Sequence, residues 1–135
     1  MAKIDPAKIW SLNHRLLMSV IASVASDITA LGVETKELFV LSEVDDHPYP
    51  AELAASLCIP KPSVTLYVKR LEAAGFLRRE IDTADLRRHR LELTSAGRKV
   101  MQQGNALLSE AFALKLGRLS AAQQAELRAL LEQMS

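Results

Sequence analysis

Apolar positions in residues 61–75 recur at helical spacing: Val64, Tyr67, Val68 and Leu71 fall on one face. The opposite face then carries Pro62, Leu66, Lys69 and Ala73, with Thr65 and Arg70 on its flanks and nothing acidic in its middle. Just upstream, residues 52–57 read as a short helix entered by Pro50 and followed by the tight connection Cys58-Ile59-Pro60. Two helices joined by so short a turn, the second with a polar and basic outer face, form a helix-turn-helix pattern. Downstream, residues 76–81 and 90–93 are short β-like runs separated by a polar, Arg-rich connection over 82–89. That pattern predicts a hairpin, or wing, appended to the second helix.

Long apolar helices flank this centre. Over residues 7–31, Ile9, Leu12, Leu16, Val20, Val24 and Leu31 follow one stripe, which Leu17, Ile21 and Ile28 widen. So wide a stripe needs several partners to cover it, and a second subunit is the expected extra one. Gly32 fits the C-terminal cap. Residues 35–44 form a second helix with Leu38, Leu41 and Val44 inward, broken by Asp45-Asp46-His47-Pro48. Thr94 is placed as the N-cap of a long helix reaching about Lys115, with Val100, Leu107, Leu108, Ala111, Phe112 and Leu114 on its apolar side. Gly117 closes it, and Ser120 with Gln123 has capping-box spacing for a last helix that presents Leu127, Leu130, Leu131 and Met134. The expected fold is mainly α. It is a winged helix-turn-helix with a small β-hairpin wing and long N- and C-terminal dimerisation helices. Residues 1–135 are expected to form a single winged-helix domain, with the DNA-binding part over 34–94 and the dimerisation helices over 7–31 and 95–135. Helices from opposite ends of the chain can pair with those of a second copy in an isologous dimer, setting both helix-turn-helix units on one side.

Charge sharpens the picture through its distribution. The net charge is only +1. Residues 61–99, however, hold ten basic side chains (Lys61, Lys69, Arg70, Arg78, Arg79, Arg87, Arg88, Arg90, Arg98, Lys99) against five acidic ones (Glu72, Glu80, Asp82, Asp85, Glu92), leaving the rest net acidic. A basic segment that coincides with a helix-turn-helix and its wing is the electrostatic footprint of phosphate contact. The first ten residues lack the apolar core of a signal peptide, and the richest apolar stretch, residues 16–25, falls short of the ~20 residues a membrane span takes. A cytoplasmic protein is expected. Cys58 is the one cysteine, so neither an internal disulfide nor a cysteine metal motif is open to the chain. No nucleophile motif, phosphate-binding glycine loop or paired carboxylates in a recognisable context appear, so no enzyme, catalytic residue, cofactor or metal is expected.

Three features together resemble the MarR (multiple antibiotic resistance regulator) family of bacterial winged helix-turn-helix transcription factors. They are Ser63-Val64-Thr65 followed by Val68-Lys69-Arg70-Leu71-Glu72 and Gly75-Phe76-Leu77; Asp85-Leu86-Arg87-Arg88; and Leu93-Thr94-Ser95-Ala96-Gly97. The resemblance covers essentially the whole chain. It implies a homodimer that reads a pseudo-palindromic operator in double-stranded DNA, with the helix from Lys61 in the major groove and the wing at the adjacent minor groove. It also implies a regulator, often a repressor, whose DNA affinity changes when a small aromatic ligand binds. The residues expected at DNA are Lys61, Ser63, Thr65, Leu66, Lys69, Arg70, Asp85, Arg87 and Arg88. Where the family often has Arg beside the recognition-helix Thr, this chain has Leu66, which cannot donate to guanine but can pack on a thymine methyl.

The spacing of Asp85 and Arg87 has a mechanical reading, because a carboxylate can hold a guanidinium extended for a narrow minor groove. The plain alternative is a surface ion pair. Cys58 sits where many such turns place glycine and is expected to be a small structural residue. His14, His47 and His89 are scattered without metal-site spacing. Trp10, His14 and Leu17 form either dimer core or a candidate effector pocket. A winged-helix module that binds another protein and no DNA is the alternative function, and the exposed Leu66 is what points to it.

Overall fold

A computed structural model describes residues 3–135. In chain order the elements are α1 (Pro6–Ala30), α2 (Thr35–Glu43), α3 (Pro50–Leu57), α4 (Lys61–Ala73), β1 (Leu77–Ile81), β2 (His89–Leu93), α5 (Ser95–Leu116) and α6 (Ala121–Met134). The winged helix-turn-helix and its flanking helices are therefore present with boundaries within two residues of those the patterning predicts. No single helix among the described residues is long and apolar enough to cross a membrane. The chain divides into two compact units: residues 24–107, and residues 1–23 together with 108–135. The divisions fall inside α1 and α5 rather than at their ends.

The unit over residues 24–107 has a core of its own. Leu38, Leu41, Leu53, Val64, Val68 and Leu71 are fully buried, which accounts for one apolar face each of α2, α3 and α4. Val40 joins them, and Glu37 is buried too. The carboxylate of Glu37 accepts a hydrogen bond from the Glu34 backbone N–H at 2.8 Å, an N-terminal cap on α2 that satisfies the buried acid. The antiparallel strands β1 and β2 pair from Leu77 opposite Leu93 to Ile81 opposite His89, with only Leu77, Leu91 and Leu93 turned inward.

The end of α4, the wing and the start of α5 meet at one junction. Gly75 takes a positive φ of 83°, and the N–H groups of Gly75 and Phe76 donate to the carbonyls of Glu72 and Leu71 in a Schellman closure. Thr94, expected as an N-cap, accepts the Gly97 N–H at 3.0 Å through its hydroxyl oxygen. The same hydroxyl donates to the Gly75 carbonyl at 2.6 Å, while the Thr94 N–H donates to Phe76 C=O at 3.1 Å. Gly97 lies so close beneath Phe76 that a Cβ there would collide with the Phe76 carbonyl oxygen.

The unit over residues 1–23 and 108–135 has a different character. Its only buried apolar side chain among the described residues is Val20, and no side chain of α6 is buried. Ile9, Leu12 and Leu17, expected on the apolar stripe of α1, are exposed in the protomer, whereas Val24 and Ile28 further along the stripe are buried. Leu114, on the expected apolar side of α5, is 79% exposed, on an edge that its own unit leaves uncovered. The Ser120–Gln123 capping box forms as predicted, with reciprocal bonds of 2.9 and 3.2 Å.

The collision at position 97 gives a direct test. Gly97→Ala must push α5 away from the Phe76 backbone, and overpacking of this kind costs about 1–3 kcal/mol. Urea unfolding of the variant is expected to show a lower midpoint by that amount, and an unchanged midpoint would mean that the junction is looser than its geometry indicates.

Candidate nucleic-acid interface

The turn between α3 and α4 is built on Cys58, which has φ 55° and ψ 41° and is the one non-glycine residue with positive φ among those described. Left-handed backbone at a side-chain-bearing residue costs roughly 1–2 kcal/mol, the reason such turns favour glycine. Its thiol is exposed. Pro60 then takes the extended backbone of an N-cap and Pro62 sits in the first turn of α4, where a missing N–H loses no hydrogen bond.

On α4 the expected division of faces holds. Val64, Val68 and Leu71 are buried; Lys61, Thr65, Leu66, Lys69 and Arg70 are exposed; Ser63 is half-buried. Leu66 is 47% exposed, a large apolar group standing free on the outer face. The Thr65 hydroxyl donates to the Lys61 carbonyl at 3.1 Å. That bond leaves the oxygen of the exposed threonine with acceptor capacity, so it can accept from an adenine or cytosine amino group. Lys61, Lys69 and Arg70 form no ion pair among the described residues.

The wing redistributes the charge counted from the sequence. Arg78 pairs with Glu92 at 2.9 Å and Glu80 at 3.3 Å, Arg79 with Glu72 at 2.9 Å, and Arg98 with Asp45 at 3.0 Å. These arginines are engaged within the protein and do not stand free for phosphate. Each of the five acids in residues 61–99 is likewise held: Glu72, Glu80 and Glu92 by arginines, Asp82 by Tyr49 and Asp85 by Arg87. What remains without an ion-pair partner is cationic: Lys61, Lys69 and Arg70 on α4, with Arg90 and Lys99.

At the wing tip Asp85 and Arg87 form the expected fork. Arg87 Nε donates to Asp85 Oδ1 at 3.1 Å and an Arg87 terminal nitrogen to Oδ2 at 3.4 Å, while the Arg87 backbone N–H adds a bond to Oδ1 at 3.0 Å. The arginine side chain is 91% exposed and that of Asp85 34%, so the guanidinium projects while its anchor is sheltered. These bonds from the Arg87 side chain and backbone hold the Asp85 carboxyl below its ordinary range.

Arg88 departs from the sequence reading, which set it beside Arg87 at DNA. Its guanidinium lies 3.6 Å over the centre of the Tyr49 ring and 3.9 Å from Glu52, folded back against the start of α3. Tyr49 and Asp82 were not singled out from the sequence. The Tyr49 hydroxyl donates to Asp82 Oδ2, joining α3 to the wing across a separation along the chain that no local pattern marks. The one available signal is a tyrosine directly before Pro50, in the N-cap position that favours Ser, Thr, Asp or Asn.

Trp10, His14 and Leu17 lie exposed on α1, the Trp10 and His14 rings 5.9 Å apart. The open grooves of their unit are instead lined by Phe112, Leu116 and Leu127, with Leu16 contributing to one of them. Among the described residues no group of three His, Cys, Asp or Glu side chains comes together to hold a metal.

Residues 34–89 match the family model described as the MarR family. That segment is similar to the MarR family. Over 132 residues, 96% of this chain and 95% of the relative, it is 27% identical to the HTH-type transcriptional repressor Rv2887 of Mycobacterium tuberculosis. The crystal structure of that MarR family protein in complex with salicylic acid is similar with a TM-score of 0.77 at 26% identity, covering 100% of both chains. The reduced form of MarR from E. coli shares the fold with a TM-score of 0.79 at 22% identity over 98% of both chains. The matched MarR segment begins just before α2 and ends at the first residue of β2, so it contains α3, α4 and the Asp85–Arg87 fork.

The tie between Tyr49 and Asp82 has a defined pH window. The hydrogen bond from Tyr49, with those from the Ala84 and Asp85 backbones, holds the folded Asp82 pKa below its ordinary 3.8. The same bond raises Tyr49 above 10.0. A lowered acid stabilises the fold above its unfolded pKa and loses that contribution as pH falls through the folded value. A raised tyrosine contributes below its unfolded pKa and loses that contribution as pH rises through the folded value. The tie is therefore expected to be constant across neutral pH and released only in acid or strong alkali. Carbon chemical shifts of the Asp82 carboxyl and the Tyr49 ring, followed through a titration, are expected to stay flat between those limits; a step near neutral pH would contradict the assignment.

Proposed function

We propose that the chain is a cytoplasmic, homodimeric, sequence-specific transcriptional regulator of MarR type, a repressor that binds a pseudo-palindromic operator and is released by a small aromatic ligand. The observation that carries the reading is the Asp85–Arg87 fork, a projecting cation preorganised by its own carboxylate beside a recognition helix whose outer face has cations and no free acid. On this reading α4 enters the major groove. Thr65 and Leu66 touch base edges, Lys61, Ser63, Lys69 and Arg70 meet phosphates or groove edges, and Arg87 reaches the minor groove. Arg88 is better placed to steady the wing than to read DNA. Support for a repressor and for a small aromatic ligand comes from the relatives: Rv2887 is named an HTH-type transcriptional repressor and has been crystallised with salicylic acid. Trp10, His14 and Leu17, exposed on α1 and outside the open grooves of their unit, fit dimer core better than a ligand pocket. The bare unit over residues 1–23 and 108–135, with its exposed leucines and an open groove of about 630 Å³ between α5 and α6, supports dimerisation. The exposed Leu66 favours the second reading, a protein-binding module. A mobility-shift titration with the protein's own upstream region, run at two salt concentrations, separates the two, since phosphate contact makes affinity fall steeply with salt.

The fork provides the sharper test. Arg87→Ala is expected to lose about 1–3 kcal/mol of operator affinity as a charge-assisted contact disappears. Asp85→Ala is expected to weaken binding as well, although it removes a negative charge near DNA, because the arginine loses its preorganisation. Simple charge counting gives the opposite sign. Tighter operator binding by Asp85→Ala, with fold and dimer intact, would reduce Asp85 to a repulsive surface charge.

The dimer has its own prediction. Removing residues 121–135 is expected to yield aggregate or unfolded chain in light scattering and circular dichroism, since no folded core of that unit would remain. A well-folded monomer of the shortened chain would refute the assignment of these helices to an interface.

A further inference from the structure

Tyr49 is the N-cap residue of α3, with an extended backbone at φ −124° and ψ 142°, yet its side chain makes no capping hydrogen bond. A Thr or Ser there would accept a backbone N–H of the first turn. Tyr49 points its chemistry elsewhere. Its hydroxyl donates to Asp82 Oδ2, and its ring supports the Arg88 guanidinium at 3.6 Å. Asp82 and Arg88 are the two sides of the wing's neck: the Asp82 N–H donates to the Arg88 carbonyl at 3.0 Å, the last rung before the loop. One aromatic side chain thus grips both sides of the neck.

The grip continues into the loop. Asp82 Oδ1 accepts the Ala84 N–H at 2.8 Å, and the Arg88 N–H donates to the Asp85 carbonyl at 2.9 Å. An oriented Asp82 carboxylate therefore fixes the turn that presents Asp85, and Asp85 in turn holds Arg87. A two-stranded hairpin alone is at best marginally ordered in water, so its angle to the rest of the protein needs a tether beyond its own rungs. The Leu91 N–H donating to Pro48 C=O at 2.8 Å tethers β2, and Tyr49, the next residue after Pro48, tethers the neck.

We propose that Tyr49 is a positioning residue for DNA recognition: through Asp82 and Arg88 it locks the wing to the first helix of the helix-turn-helix, so that Arg87 and α4 meet the duplex in fixed register. The proposal rests on the DNA-binding reading above. It adds a specificity-determining role for a residue outside the expected DNA contacts.

The test uses the full chain and a duplex selected from a random pool by the wild-type protein. Tyr49→Phe keeps the ring beneath Arg88 and removes the donor to Asp82. Tyr49→Thr removes both contacts but supplies a capping hydroxyl, so a merely structural role predicts equal or greater stability and unchanged recognition. The positioning role predicts that Tyr49→Phe binds the selected duplex about 3–10-fold more weakly, the loss of one net hydrogen bond. Tyr49→Thr is expected to bind more weakly still, and to lose base preference at the flanking positions under the wing while keeping it at those under α4. In a double-mutant cycle, Tyr49→Phe and Asp82→Asn are expected to be non-additive. Hydrogen exchange on the free protein separates this proposal from the DNA reading: Tyr49→Phe is expected to speed exchange at the Asp82 and Arg88 amides. Unchanged exchange, or unchanged affinity and base preference in both variants, overturns the positioning role while leaving DNA binding in place. A wild-type chain that selects no duplex at low salt overturns both.

Discussion

The Thr94 hydroxyl, donating to the Gly75 carbonyl and accepting from the Gly97 N–H, is the constraint on which the DNA-facing unit depends. One oxygen joins the end of the recognition helix, the exit of the wing and the first turn of α5. Phe76 contributes the second strand of the junction, its N–H closing α4 and its carbonyl receiving the Thr94 N–H. With Gly97 pressed beneath that carbonyl, no side chain can intervene and α5 cannot ride up. The leucine-threonine-x-x-glycine pattern is therefore a packing requirement first. Recognition inherits it, because the position of β2 relative to α4 sets where a wing can reach.

The polar contacts around this junction work mainly by orientation. Exposed ion pairs such as Arg78–Glu92 and Arg79–Glu72, screened by solvent, contribute too little to decide whether the chain folds. Their effect on the field is larger. By holding every acid of residues 61–99 against a partner, they leave the unpaired charge of that segment positive. The fold keeps its carboxylates as props for cations and hydroxyls, so a strand as charged as β1 can sit in the wing without presenting a repulsive surface to phosphate.

How much of this was legible in the sequence varies with how local the information is. The apolar spacing of Val64, Val68 and Leu71 repeats within one helix, and it placed the exposed face correctly. Asp85 and Arg87 are two residues apart, so their fork could be read from reach alone. Glu37 buried under its own N-cap was invisible, because an acid at helical spacing reads as a solvated position until the cap is seen. The packing of Arg88 on Tyr49 was invisible for a related reason. Its neighbour projects, but its own direction is set by an aromatic ring far back along the chain, and periodicity carries no such information. The exposure of Leu114 was not legible either, because a stripe predicts only that a face is apolar, not that the same protomer covers it.

That last point extends to the whole unit over residues 1–23 and 108–135. Residues 24–107 bury a full set of leucines and valines, whereas the terminal unit buries Val20 and leaves α6 without one enclosed side chain. Ordering a residue's backbone costs about 1–2 kcal/mol, and a unit with so little burial cannot offset that alone. On the proposed dimeric reading the missing cover comes from a second copy of the chain, and the stability of this unit then depends on protein concentration. A unit whose packing is completed by association is also the easiest part of the chain to rearrange, since few internal contacts must break. A ligand can shift such a unit only by as much as it prefers one arrangement over the other. On the proposed ligand-responsive reading, the contrast between a self-sufficient core over residues 24–107 and a terminal unit that lacks one makes the terminal unit the place where such a preference acts.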